Sequence, residues 1–338
     1  MNKVITFSHS GYDDFIGFLK AYCIICVVLA HCLPATVRNV IHFSFWGDMQ
    51  VPLFLLIQVF HAYKKGVRPS VDAKKILRRI VYPFLFIQII IIGALLILSH
   101  EPIIVLKEAL IGGGKGPGTY YFWIFLQFAL LLPFFWPVFN RFSMKLLMPC
   151  FIILCLLLDI ICSIIHLPEP IYRLLAIRYV FLIYLGMMWV KGGIKVNLSF
   201  IILSLLSLVA AIYFRQTPHN LEPFFFTTAW RYHRWPCFFY VYCLLPFLLW
   251  EMFQIVKRNK WLTKTLDTIG QSSYEIFLFQ MLVFVFLPNV ALRLVPDSMI
   301  RNAIFIPVEL LLSIVGGIYF REGYNKIQNL IFRKDSIK

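Results

Sequence analysis

The sequence predicts an all-α polytopic membrane protein of about ten transmembrane helices with both termini cytoplasmic. Three observations predict it. The 338 residues are 60% hydrophobic and only 14% charged, with mean hydropathy +0.80, whereas a soluble domain carries about 25% charged residues. Apolar runs long enough to cross a bilayer, roughly 20 residues each, recur along the chain. Finally, the basic residues that give the net charge of +16 fall mainly in alternate loops, the usual signature of membrane orientation.

The spans follow in order. The first, 15–34, contains "FIGFLKAYCIICVVLAHC"; it carries Lys20 and lacks a small-residue cleavage site, so it is expected to stay as a helix and not to be removed as a signal peptide. The second, 45–63, is interrupted by Pro52. The third, 80–99, and fifth, 145–166, hold the long apolar runs Pro83–Leu98 and Leu146–Ile165. Between them lies 119–139. Then come 172–191, 197–215, and 234–254, the last broken by Pro236 and Pro246, and finally 273–295 and 302–321. No tandem repeat and no long polar linker is visible, so residues 1–338 read as a single integral-membrane domain.

With the N-terminus inside, the inner segments hold 21 of the 32 Lys and Arg residues and the outer segments 9, with Lys20 and Arg178 inside spans. That asymmetry accounts for most of the charge by topology, and no nucleic-acid partner is needed to explain it. The eight cysteines all lie in or beside spans. Cys23-x-x-Cys26 has no second pair to complete a metal or redox motif, so the cysteines read as small packing hydrophobes and no metal site is expected.

Ionisable groups inside spans are expensive and mark function by default. Lys20 and His31 stand eleven residues apart, about 1100° of helical rotation, which leaves them only about 20° apart around the axis and about 16 Å apart along it. A cation toward the cytoplasm and a base in the outer half, on one face, suit a substrate threaded along the helix. The alternative reading is that Lys20 snorkels to headgroups and His31 makes one interhelical hydrogen bond. In the inner loop "KKGVRPSVDAKKILRRIVYP", Lys75, Arg78 and Arg79 recur at helical spacing just before a span. They suit a phosphorylated ligand, Arg by bidentate contacts; the competing reading is a topogenic loop on anionic headgroups.

Other signals point less sharply. "GGGKGPG" (112–118) lacks the Ser/Thr and strand-to-helix context of a phosphate-binding loop and reads as a flexible outer loop. "EPFFFTTAWRYHRWP" (222–236) mixes Arg231, His233 and Arg234 with aromatics, a combination that stacks on sugars and binds anions, or else forms an interfacial aromatic belt. Asp159, Arg178, Glu251, Glu275 and Glu309 read as helix–helix partners, with Asp159 and Arg178 able to pair. No H-E-x-x-H or G-x-S-x-G occurs, which leaves metalloprotease and serine-hydrolase readings without support.

The frame "LKAYCIICVVLAH", with its basic residue eleven positions before His, resembles the first span of the acyltransferase 3 family of integral-membrane O-acyltransferases, in particular its bacterial glycan O-acetyltransferase branch. "VPLFLLIQVFHAYKKG" (51–66) resembles that family's second span, "KKILRRIVYPFLF" its basic approach to the third, and "IRYVFLIYLGM" and "IGQSSYEIFLFQM" later spans. The chain departs from the pattern at Gly17, where Asp is frequent, at Ala21, where Gly commonly follows the basic residue, at Gln58-Val59, which replaces Ser-Gly, and at Gln280, where His is common.

The resemblance implies transfer of an acyl group, usually acetyl from acetyl-CoA, to a sugar hydroxyl of a cell-surface or exported polysaccharide. Acetyl-CoA, or another acyl-CoA, is then a co-substrate, and no cofactor is permanently bound. On that reading His31 and Lys20 are catalytic, Lys75, Arg78 and Arg79 hold the donor phosphates, and Arg231 and His233 meet the acceptor. An ordinary histidine pKa near 6.5 suits a general base; His31 carrying the acyl group transiently is the other option. The implied partners are acyl-CoA, a glycan or lipid-linked sugar, and the bilayer of the plasma (inner) membrane, crossed many times. A transporter or flippase for a lipid-linked sugar would also be basic and polytopic, but no matched pair of Gly/Pro-broken spans supports one.

Overall fold

The computed structural model describes residues 3–7, 13–99, 101–216, 234–295 and 298–332. Among these, eight helices are long and apolar enough to cross a membrane: Asp14–Cys32, Phe43–Tyr63, Ala73–Leu98, Thr119–Arg141, Met144–Cys162, Trp235–Val256, Ser273–Leu292 and Met299–Leu330. The expected segment 197–215 is the helix Leu198–Gln216. The expected segment 172–191 is not one helix. It is a short helix Glu169–Leu174, a 3₁₀ turn Ala176–Tyr179 and a helix Phe181–Gly192. Large apolar side chains such as Ile89, Ile97 and Val209 remain exposed, as expected where lipid, not water, covers the outside. The protein is therefore an all-α, multi-pass membrane protein.

The chain forms two compact units, each assembled from three separate segments. One comprises residues 1–16, 49–73 and 120–258; the other comprises 17–48, 74–119 and 259–338.

In the first unit, a two-stranded antiparallel ribbon pairs Lys3–Ile5 with Ile194–Val196. Gly193 (φ +68) makes the ribbon possible, since a Cβ there would lie 2.3 Å from the Ile5 carbonyl. Helix Phe181–Gly192 packs closely on Gln50–Tyr63, because Gly186 leaves room for Val59. Between them lies an aromatic core in which Phe7 meets Phe60 at 4.7 Å and Trp189 at 5.3 Å. The prolines that interrupt the 234–254 segment are accommodated individually. Pro246 cannot donate to the Tyr242 carbonyl four residues back, and the buried Trp189 indole donates to that carbonyl at 3.0 Å. A π-helical stretch, Tyr240–Leu244, absorbs the irregularity. Ser204 and Ser207 donate to the carbonyls of Phe239 and Pro236.

The second unit shows the same device on a different span. Pro83 lies just beyond a π-helical stretch, Leu77–Val81. Side chains from the last two long helices donate to carbonyls of that stretch. Tyr324 and Gln328 donate to Arg78 at 2.9 and 2.7 Å, and Tyr274 donates to Ile80 at 2.7 Å. Ser273–Leu294 and Ser298–Phe332 cross at bare backbone, where a Cβ on Gly317 would lie 2.4 Å from the Ile276 Cα. A Cβ on Gly270 would lie 2.2 Å from the Gly17 carbonyl and 3.4 Å from the Ala21 nitrogen. The small residues Gly17 and Ala21, two of the departures from the family pattern, thus bed the helix Lys260–Gln271 onto the first helix.

Candidate active site

Helical periodicity places Lys20 and His31 on one face, and the structure brings both toward one helix. The ring of His31 lies 5.7 Å from that of Phe284, while Lys20 and Arg321 both act electrostatically on Glu275. Glu275 and Phe284 belong to the same helix, Ser273–Leu294. The two helices therefore run in the same direction, with Lys20 toward the beginning of the second helix and His31 farther along it. Lys20 is half-buried. His31, in the last turn of its helix, is an exposed residue although Cys32 beside it is buried. The charges that act on His31 are those of Arg38 and Asp48. Arg38 is tied to this helix end by a bond from Nη1 to the Ala30 carbonyl, 3.3 Å.

The segment 112–118 differs from its expectation as a flexible loop. It is folded against the His31 neighbourhood and pinned there. Gln88, nearly fully buried, accepts from the Lys115 N–H at 2.7 Å and donates to the Lys115 carbonyl at 3.0 Å and to Met281 Sδ at 3.5 Å. Thr119 Oγ1 donates to the Gly112 carbonyl at 3.2 Å. A Cβ on Gly116 would lie 2.9 Å from that of Met281, and one on Gly118 would lie 3.1 Å from the Phe277 ring and 3.9 Å from His31 Nε2. The glycine spacing was visible in the sequence. Its partners were not, because Phe277 and Met281 lie far away in the chain.

Lys75 and Arg79 are exposed and Arg78 is half-buried, on a strip whose backbone is held by Tyr324, Gln328 and Tyr274 as described. Arg231 and His233 lie outside the described residues. Gln280 is fully buried, and neither of its amide atoms has a hydrogen-bond partner among the described residues.

A second polar constellation occupies the other unit. Asp159 pairs with Arg234 at 3.4 Å, both side chains nearly buried. Arg178 stands 4.8 Å over the Tyr179 ring and 5.6 Å over Tyr120, and Arg234 stands 5.7 Å over Tyr172. Asp159 thus has Arg234 as an ion-pair partner, and Arg178, which its spacing lets pair with Asp159, also stands among tyrosine rings. Of the other acidic residues, Glu251 meets Lys3.

Among the described residues, this bundle of apolar helices brings His31, the aligned Lys20 and the glycine loop toward the helix Ser273–Leu294. The comparison with protein families gives this arrangement a class: the acyltransferase 3 model, described as an acyltransferase domain, matches residues 13–322. The chain belongs to that family and is a membrane acyltransferase. No curated protein and no solved structure matches it.

Proposed function

We propose that this protein is an O-acyltransferase that moves an acyl group, acetyl by preference, from acyl-CoA to a sugar hydroxyl of a surface or exported polysaccharide in the plasma membrane. The observation that carries the reading is the alignment of Lys20 and His31 along one helix face toward the same neighbouring helix, with His31 exposed at its end. His31 takes the proton of the acceptor hydroxyl, and the resulting alkoxide adds to the thioester carbonyl. Collapse of the adduct breaks the C–S bond, and the thiolate takes the proton back from the imidazolium. The ester and free CoA are the products, with all atoms accounted for.

The donor's phosphates suit Lys75, Arg78 and Arg79, whose strip is held through backbone carbonyls, and Lys20 extends positive charge from the strip toward His31. The acceptor approaches the His31 end from the outer side, where residues 36–48 lie on this orientation. Purified protein given labelled acetyl-CoA and candidate oligosaccharides is expected to transfer label covalently, and His31→Ala is expected not to. Movement of unmodified lipid-linked sugar across vesicles, without acylation, would replace the enzyme by a flippase.

A further inference from the structure

We propose that the backbone N–H groups of Gly116 and Gly118 form the pocket that receives the oxyanion of the transferred acyl group; this rests on the acyl-transfer reading above. Three observations converge on it. Gly114, Gly116 and Gly118 have φ values of +130°, +107° and +80°; because Pro117 has no N–H and the N–H groups of Gly113, Gly114 and Lys115 are already bound, the loop's remaining donors are those of Gly116 and Gly118. Gly118 also directly precedes the long helix Thr119–Arg141, whose first turn carries partial positive charge. Neither the Gly116 nor the Gly118 N–H donates a backbone hydrogen bond among the described residues, and both glycines are half-buried.

Position supplies the second argument. The hydrogen face of the Gly118 α-carbon looks at His31 Nε2, since a Cβ there would stand 3.9 Å from that nitrogen. A carbonyl under attack by an alkoxide formed at Nε2 lies within reach of the loop's donors. When the alkoxide adds, the carbonyl π electrons move onto oxygen. They stay there until the C–S bond breaks and the thiolate is protonated by His31. Donors preorganised for that transient charge are among the strongest contributors to acyl transfer.

The third argument is independent of the loop. Gln280 shares the helix face of Phe277 and Phe284, being three residues after the first and four before the last. Its fully buried amide has no partner among the described residues, and such a group finds one in a ligand or water. Gln88 is a positioning residue on this reading, because its amide fixes the loop by bonding both backbone groups of Lys115.

The test uses full-length protein in nanodiscs and two probes, CoA and a trifluoromethyl ketone analogue of acetyl-CoA that accepts a nucleophile to give a tetrahedral oxyanion. Wild type should bind the ketone at least about tenfold tighter than CoA. Gly118→Ala keeps the N–H but puts a methyl into the pocket, and should lose about 100-fold or more in transfer, the size of effect that follows loss of an oxyanion interaction. It should keep CoA affinity within about twofold and lose the preference for the ketone, as the added methyl fills the space beside Nε2. Gly112→Ala, where a Cβ meets nothing within 4 Å, should behave as wild type. Full transfer by Gly118→Ala, or equal weakening of both probes, overturns the pocket. If Gly118→Ala does not fold, the wild-type comparison decides alone: transfer without a ketone preference overturns the pocket. Absence of both transfer and CoA binding in wild type overturns the parent reading instead.

Discussion

The His31 region and the Asp159–Arg234 region both place ionisable groups among apolar helices, yet they are built in opposite ways. His31 is exposed, with a glycine loop beside it and a basic residue aligned on its own helix. Asp159 and Arg234 are nearly buried, neutralise one another at 3.4 Å, and share with Arg178 a lining of tyrosine rings. Charge inside a membrane segment therefore does not by itself mark the reacting centre. Access does. The closed cluster has the form of a structural device, a 3₁₀ break at Ala176–Tyr179 held by cation–π contacts and an ion pair, and the open one has the form of a site.

The sharpest way to break that contrast is to remove the open group. His31→Ala should lower transfer by about 10³-fold or more, within the range of a general base, with a smaller change in the melting midpoint. A variant that transfers normally would put the chemistry elsewhere. The closed cluster should respond in the reverse sense. Asp159→Asn, which strands Arg234, should cost about 3–5 kcal/mol of stability, read as denaturation of the purified protein. The double variant Asp159→Leu/Arg234→Leu should recover much of it, because the pair's desolvation penalty disappears with it. Loss of transfer by Asp159→Asn with unchanged stability would move this cluster into the site.

Much of the fold and part of the site can be read from the amino-acid order, for physical reasons that differ by residue. The runs Pro83–Leu98 and Leu146–Ile165 announce helices because length and apolarity are local properties. The shared face of Lys20 and His31 follows from helical geometry alone. By contrast, the break in 172–191 depends on where Arg178 finds its tyrosines. Likewise, the ion pair of Asp159 with Arg234 joins it to a distant segment. The 112–118 loop is the clearest case: a flexible linker and a pinned loop share the same glycines. The difference lies in Gln88, Phe277 and Met281, which no local pattern connects to it.

Smaller effects refine the basic side of the comparison. Arg78→Ala should raise the KM for acetyl-CoA about tenfold or more, in line with about 1.5–3 kcal/mol for a hydrogen bond to a charged group. It should leave kcat nearly unchanged, because the strip's backbone anchors from Tyr324 and Gln328 do not involve the guanidinium. Equal losses in kcat and kcat/KM would instead place Arg78 at the transition state.

The smallest expected change is at Lys20, and it separates charge from geometry. Lys20 and Arg321 both act on Glu275, and Arg321 is further tied to Ser272 Oγ at 3.2 Å and Gln271 Oε1 at 3.4 Å. If Lys20 supplies positive charge along the helix face, Lys20→Arg retains it, and transfer should stay within about threefold of wild type. Arg differs chiefly in offering a planar fork, which a point-charge role does not require. Lys20→Met keeps most of the apolar stem but removes the charge. It leaves Glu275 to Arg321 alone, and its kcat/KM for acetyl-CoA should fall about tenfold, with a reduced dependence on ionic strength. A structural Lys20 predicts a different pair of results. Met, which packs well among apolar neighbours, would be tolerated, and the bulkier Arg would destabilise the protein against the neighbouring helix. Measuring kcat/KM and melting midpoint on the same two variants therefore distinguishes a working charge from a packed one.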